Sequence, residues 1–461
     1  MPRALAPLRH GSFRLLVSGQ LTSNLGDAFY AVALPWYVLS AHGGPLLLGS
    51  FLAAYGISRT LLLAVGGQAS DRWRPWTVMM GADAVRAVAV GVLAVAALTG
   101  PPNAYILMPI SVIIGAGEGL FLPGSYAIVP SLLQDAELEA GNAITTGGTQ
   151  FATLIGPGIG GAVVALAGAT PAFAADAASF AISALTLWAI RLRGVAGRQT
   201  AAQLPAGQEN GDTDEPAAGE PPAPAPTLRH LLATERVLQV IIVVLVAANL
   251  GAGGMGEVAL PALAHGYFGA GAGGYGALLA AYGGGALLGT LAAGQARRAR
   301  RPAVMASVGF LVEAACLALV PYLGGTIPAA AALLAFGALN GFGTIIVITA
   351  FQRWAPAAVL GKLMAVLLLA AIGVFPVSVF VAGLLVDQFG PAPFFPLAGA
   401  LLAVAITVSL SQRSWRDFGS SAVNARPDEG SRCMPLLRRR GSWPRRARAV
   451  SAAVGYLDRR E

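Results

Sequence analysis

Residues 46–76 read LLLGSFLAAYGISRTLLLAVGGQASDRWRPW. Residues 46–68 form an apolar run long enough to cross roughly 30 Å of hydrocarbon as a helix. A charged turn, Asp71-Arg72-Trp73-Arg74-Pro75, follows. Pieces of this stretch return later in the chain. Leu52-Ala53-Ala54-Tyr55-Gly56 recurs as Leu279-Ala280-Ala281-Tyr282-Gly283. Gly67-Gln68-Ala69, with Pro75, recurs as Gly294-Gln295-Ala296 with Pro302 at the same offset. Upstream, Asn24-Leu25-Gly26 matches Asn249-Leu250-Gly251, and Ala33-Leu34-Pro35 matches Ala259-Leu260-Pro261. Downstream, Gly168, Pro171 and Phe173 match Gly390, Pro393 and Phe395. Each match is short, but their shared order and near-constant offset make the chain a tandem repeat.

Composition agrees. Of 461 residues, 56% are hydrophobic and 11% charged, against roughly a quarter charged in soluble proteins. Mean hydropathy is +0.66. A soluble enzyme, a disordered protein and a disulfide scaffold are excluded. Twelve apolar runs are read: 13–39, 46–68, 77–99, 104–130, 143–167, 171–190, 237–262, 274–296, 303–323, 327–350, 362–386 and 391–411. Lipid offers no partners to backbone polar groups, so runs of this length are helices. The predicted fold is all-α: a polytopic membrane protein of twelve transmembrane helices in two pseudo-twofold-related six-helix bundles. The first run is too long for a cleavable signal and is expected to remain a span.

The domain reading is an N-terminal bundle at 1–190, a disordered cytoplasmic linker at 191–236, a C-terminal bundle at 237–411 and an Arg-rich cytoplasmic tail at 412–461. Between Ala201 and Pro226 the linker is rich in Pro, Ala, Gly and acids. For the tail, two readings stand: a contact with anionic lipid, and a solvated segment that enforces orientation. Arg3, Arg9, Arg14, Arg72, Arg74 and Arg353 fall on one side of the spans, while the alternate loops lack Arg and Lys. The positive-inside rule then puts both termini in the cytoplasm of a cell whose inner membrane the chain crosses. The net charge of +8 follows this topology rather than a nucleic-acid surface. Cys316 and Cys433 are expected as free thiols. No P-loop, metal cluster or nucleophile–base set is legible, so no enzyme, cofactor or metal is expected.

The chain resembles the major facilitator superfamily over residues 13–411. Gly67-x-x-x-Asp71-Arg72-x-Arg74 is similar to that superfamily's loop motif after the second span, although Arg74 stands where a second Gly is usual. The resemblance implies a conformational charge lock formed by Gly67, Asp71, Arg72 and Arg74. Gly156-Pro157-x-x-Gly160-Gly161 resembles the end of the antiporter motif of drug/proton exporters. Asn24-Leu25-Gly26-Asp27, Ala33-Leu34-Pro35-Trp36, Asp83-Ala84-Val85-Arg86 and Leu138-Glu139-Ala140-Gly141-Asn142-Ala143 are similar to the macrolide-efflux and enterobactin-exporter branch. These likenesses imply a secondary transporter exporting a hydrophobic small molecule, an antibiotic or secondary metabolite, by proton antiport. A siderophore exporter, a proton-coupled importer and a non-transporting receptor or scaffold are the alternatives. Partners are the substrate, protons and membrane lipid, with a monomer expected and no nucleic acid.

Ionisable groups at membrane depth are costly and mark function. Asp83 and Arg86 share a helical face three residues apart and can pair; Arg59 is the second intramembrane cation. Asp176 is placed near enough to the end of its span to reach water. Glu257 is ambiguous, and Glu313 lies on a span that the resemblance makes peripheral. Asp27 and Glu118 lie half-way through spans one and four, with no basic residue within four positions. A carboxyl that alternates between neutral and ionised is what proton exchange requires. Glu118 is therefore read as the main proton-coupling residue and Asp27 as a second. The competing reading for both is a structural hydrogen bond, or a pair with Arg59 or Arg86 across helices. For an apolar substrate, Phe29, Tyr30, Tyr55, Phe121, Tyr126, Phe336 and Phe342 are the candidate cavity aromatics.

Overall fold

A computed structural model of the chain describes residues 3–193, 232–295, 301–355 and 357–420. The described residues contain no strand. They form α1 (Gly11–Ser40), α2 (Gly44–Trp73), α3 (Pro75–Thr99), α4 (Ala104–Leu132), α5 (Asp135–Ala167) and α6 (Ala169–Leu192). Then come α7 (Arg236–Tyr267), α8 (Gly271–Gln295), α9 (Pro302–Leu319), α10 (Thr326–Trp354), α11 (Ala357–Phe389) and α12 (Phe394–Ser411). Eleven helices are long and apolar enough to cross a membrane. The other, α1, has 30 residues, ample for a bilayer, and carries Arg14, Gln20, Asn24 and Asp27.

Several helices outrun their apolar stretches. α2 continues through Trp73, α5 begins at Asp135 and α11 at Ala357. Hydropathy marks only the hydrocarbon layer, whereas the hydrogen-bond ladder continues into the interface. α7 is irregular: Met255–Ala259 and Leu263–Tyr267 are π-helical. Pro261 has no N–H to give the Glu257 carbonyl four residues back. Instead the Leu260 N–H reaches the Met255 carbonyl five residues back, and the ladder resumes in the wider register.

The repeat is visible in the packing. In the first half α1 lies on α5 and α6, α2 on α4, and α3 on α4 and α6. In the second half α7 lies on α11 and α12, α8 on α10, and α9 on α10 and α12. The same small residues make the same approaches. A Cβ on Gly115 would strike the Tyr55 carbonyl, and one on Gly337 the Tyr282 carbonyl. Tyr55 and Tyr282 are the repeat partners noted above. Close helix contact of this kind replaces the hydrophobic drive that lipid cannot supply. The halves meet through α2 on α11 and α5 on α8, again one relation used twice.

The linker reading falls largely outside the described residues, as does the tail beyond Ser420. The first tail residues do not separate from the bundle at 412. A short helix, α13 (Arg413–Arg416), seats Trp415 at 1% exposure, its indole N–H donating to Ser307 Oγ at 3.0 Å. Phe418 stacks on Trp415 and stands edge-on to Trp354. Trp415→Ala removes a fully buried indole and should cost about 3–5 kcal/mol. The expected readout is a clear drop in the temperature at which detergent-purified protein leaves its monodisperse peak.

Candidate functional site

A cavity of about 230 Å³ lies where the halves meet. α1 supplies Asp27, Tyr30, Ala31, Leu34 and Pro35, which follow one another at helical spacing along a single face. α2 gives Phe51, Leu52, Tyr55 and Arg59; α3 gives Arg86; α4 gives Ser111, Ile114 and Glu118. The second half contributes Glu257 from the π-helical turn of α7 and Phe375 from α11. A pocket for a drug-sized molecule spans roughly 300–1,000 Å³, so this cavity lies just below that range.

Two ion pairs organise the polar wall. Arg59 Nη2 stands 3.1 Å from Glu118 Oε1, and the Tyr55 hydroxyl donates to Glu118 Oε2. Arg86 Nη2 donates to Asp27 Oδ1 at 2.8 Å, while its Nη1 is 3.7 Å from Asp83 Oδ1. The Arg86 guanidinium also lies over the Phe180 ring, 3.9 Å from its centroid. Arg86 thus joins α3 to α1 and α6. The Asp83–Arg86 pair expected from spacing exists, but the closer partner of Arg86 is Asp27, and Arg59 pairs with Glu118 instead of joining that set. Each proposed proton carboxylate therefore has a guanidinium partner on another helix, 59 residues away for both.

Asp176 does not reach water. It is 1% exposed, because α1 presses its Gly26 onto it: a Cβ there would lie 2.6 Å from Asp176 Oδ1. Glu313 is also buried, and accepts a hydrogen bond from Asn340 Nδ2 at 3.0 Å, away from the cavity. Of the candidate aromatics, Tyr30 and Tyr55 line the cavity and the others do not. Tyr126 is 74% exposed and outside the lining. Phe336 is buried against Tyr282 between helices of the second half, and Phe342 is not part of the lining. Phe29 packs where Gly160 of α5 crosses it, and Phe121 packs against an apolar cluster that holds Phe13, Trp76 and Met79. Each helix also buries a face in its own bundle, and spacing alone does not separate that face from the cavity face.

Glu257 is the chief lining residue that sequence reasoning left undecided. The signal was in the repeat: aligning Ala33-Leu34-Pro35 with Ala259-Leu260-Pro261 sets Glu257 opposite Ala31, itself a lining residue.

Outside the cavity, the antiporter-like stripe wedges α5 between two helices. Gly156 faces Ala28, and Gly160 the Phe29 backbone, both on α1. Gly161 faces α8, where its Cβ would lie 2.9 Å from the Ala272 carbonyl and 3.0 Å from Gly276 Cα. The repeat-related contact joins Gly49 of α2 to Gly383 of α11, with a Gly49 Cβ 3.0 Å from Gly383 Cα. Both glycine pairs sit about two turns from the helix ends opposite the amino terminus. Trp36 and His265 meet edge-on across the halves on that same side.

In the loop after α2, the Arg72 guanidinium lies 5.9 Å from the Trp73 ring and that of Arg74 5.4 Å from the Trp76 ring. Gly67 has open space where a Cβ would go. The Asp71 side chain lies outside the described residues. Arg74 has φ +70°, a conformation that suits glycine, at the position where the resembled motif has one.

Two like helical halves around a charged mid-membrane cavity are a transporter architecture. The model of the Major Facilitator Superfamily matches residues 16–373, and the chain belongs to that family. Among curated relatives, the multidrug efflux pump Tap of Mycolicibacterium fortuitum is 28% identical over 193 residues, 40% of this chain and 47% of that protein. Tap of Mycobacterium tuberculosis is 28% identical over 204 residues, 43% of this chain and 48% of that protein. The matches thus span about half the length of these relatives. Among solved structures, a bacterial homologue of the iron transporter ferroportin in an inward-facing state superposes with TM-score 0.64 at 15% identity, covering 88% of this chain and 98% of that one. The nucleoside transporter NupG gives 0.63 at 12%, covering 87% and 98%. At such identities the likeness concerns the fold alone.

Proposed function

We propose that the protein exports a hydrophobic small molecule in exchange for protons, rocking residues 13–190 against 237–411 around the cavity. The observation that carries this reading is the paired-charge wall on one half, facing an apolar and aromatic wall shared with the other. Glu118 is the main proton-coupling group and Asp27 the second. Protonation of Glu118 releases Arg59 and the Tyr55 hydroxyl, which changes what holds α2 to α4 beside the cavity. Charge rearrangement at the junction of the halves is a means of biasing one conformer over another. With the termini cytoplasmic, the glycine contacts close the outer side, and the cavity belongs to an inward-facing state. The Tap relatives, multidrug efflux pumps by name, support export. The charge lock of Gly67, Asp71, Arg72 and Arg74 is proposed to act on the opposite, cytoplasmic side.

The test is accumulation of macrolides, hydrophobic cations and siderophores in a pump-deficient bacterium, with and without a protonophore. Wild type should lower accumulation of at least one compound. Glu118→Gln should reduce that effect by tenfold or more, as should the protonophore. Normal export by Glu118→Gln with an unchanged protonophore response would remove the assignment. Raised accumulation on expression would mark an importer.

A further inference from the structure

We infer that Glu257 is the group that binds a substrate's positive charge, which makes the preferred substrate a lipophilic ammonium or phosphonium-like cation. This inference rests on the transport reading above and narrows its substrate class.

Five ionisable side chains of opposite sign line the cavity: Asp27, Glu118 and Glu257 against Arg59 and Arg86. Arg59 is taken by Glu118 and Arg86 by Asp27. Among the described residues, no hydrogen bond or ion pair reaches the Glu257 carboxylate, which leaves it as the unpaired acid of the cavity lining. A carboxylate in such a site gains from any cation that enters.

The surroundings select which cation. Tyr30, Phe51, Tyr55 and Phe375 line the same space, with Leu34 and Ile114. Aromatic faces attract organic cations, whereas a strongly hydrated metal ion needs several oxygen ligands. No group of three or more metal-ligating side chains occurs among the described residues. Glu257 is also held in an unusual backbone. Its turn is π-helical, and such turns gather at functional sites. Beside it, the Tyr275 hydroxyl donates to the Gly256 carbonyl at 3.1 Å and lies 3.4 Å from the Ala31 carbonyl of α1. The Glu257 turn is thereby tied to the opposite half. A cation on Glu257 touches aromatics of both halves, so its arrival is felt by both.

The experiment uses the full-length protein in lipid nanodiscs and measures binding of tetraphenylphosphonium, a permanent cation with no proton to exchange. Wild type should bind it saturably. Glu257→Gln should weaken binding by about 30-fold or more, as loss of one partner of a buried charge pair does. Glu257→Asp should retain intermediate affinity. Glu313→Gln, which removes a buried carboxylate elsewhere, should bind as wild type does. Thermal melting of each variant shows that it is folded. Equal affinity in wild type and a folded Glu257→Gln overturns the inference, as does a wild type that binds no cation. Protonophore-sensitive export of a neutral macrolide without cation binding would overturn this inference and leave proton-driven export standing. Cation binding through Glu257 without any flux would do the reverse.

Discussion

Arg86→Met should leave little folded protein in the membrane, and what remains should lose its monodisperse state at a much lower temperature than wild type. The side chain is 3% exposed and holds Asp27 at 2.8 Å and Asp83 at 3.7 Å. Removing the cation strands both carboxylates. Asp27 opens onto the cavity and keeps some water, so its share of the penalty is reduced. Asp83 is 0% exposed and has no such relief. Breaking a buried pair by removing one partner costs about 3–5 kcal/mol, a large part of the roughly 5–15 kcal/mol that stabilises a typical domain. Removing all the charges together should be far milder, because the penalty comes from the unpaired ion. The triple variant Arg86→Met, Asp27→Asn, Asp83→Asn should therefore recover most of the thermal stability while failing to transport. Wild-type yield and melting in Arg86→Met alone would mean that the network does not hold α1, α3 and α6 together.

The same network shows what the sequence can and cannot disclose. Hydropathy runs and the two copies of Leu-Ala-Ala-Tyr-Gly are local patterns, and they were enough for an all-helical fold with a repeat. Cross-helix pairing of Glu118 and Asp27 with Arg59 or Arg86 stood as the competing reading, and the structure has it, but which arginine meets which acid was not legible. Glu118 and Asp27 come to them from other helices, and helix packing, not sequence spacing, sets which side chains converge. The Asp83–Arg86 pair was legible because both residues ride on one helix, whereas Asp27 was only one of two candidate acids for Arg86 from elsewhere. Trp415 fell in the 412–461 tail because the last apolar run ends at 411 and the segment beyond it is Arg-rich. A single indole that finds a slot beside Ser307 leaves no periodic trace. Arg74 is the opposite case. Its departure from the resembled motif was visible, but the reason a glycine belongs there, a φ of +70°, is a property of the backbone alone.

Gly161→Val should trap the transporter open on the side that the glycine pairs now close. The first added carbon already lies 2.9 Å from the Ala272 carbonyl and 3.0 Å from Gly276 Cα. Both obstacles are backbone, so no rotamer change relieves them, and valine adds two further carbons. Overpacking of this kind costs about 1–3 kcal/mol. The cost falls on the closed state alone, since α5 holds its own half through Gly156 and Gly160 on α1. A penalty of that size moves a two-state equilibrium by roughly 5- to 150-fold. The measurement is labelling of Ala31→Cys, on the cavity wall, in a chain lacking Cys316 and Cys433. A membrane-impermeant maleimide is added to intact cells. Labelling from outside should accelerate at least fivefold in Gly161→Val, and export should fall by tenfold or more. Gly383→Val should do the same, because it faces the Pro45 carbonyl at 2.9 Å and Gly49 Cα at 3.2 Å in the repeat-related contact. Gly81→Val is the matched control, with open space where its side chain would go, and should change neither rate. If Gly161→Val and Gly383→Val label and export as wild type does, the glycine pairs are not the closing surface. Faster labelling from the cytoplasmic side instead would invert the proposed orientation while keeping the gate.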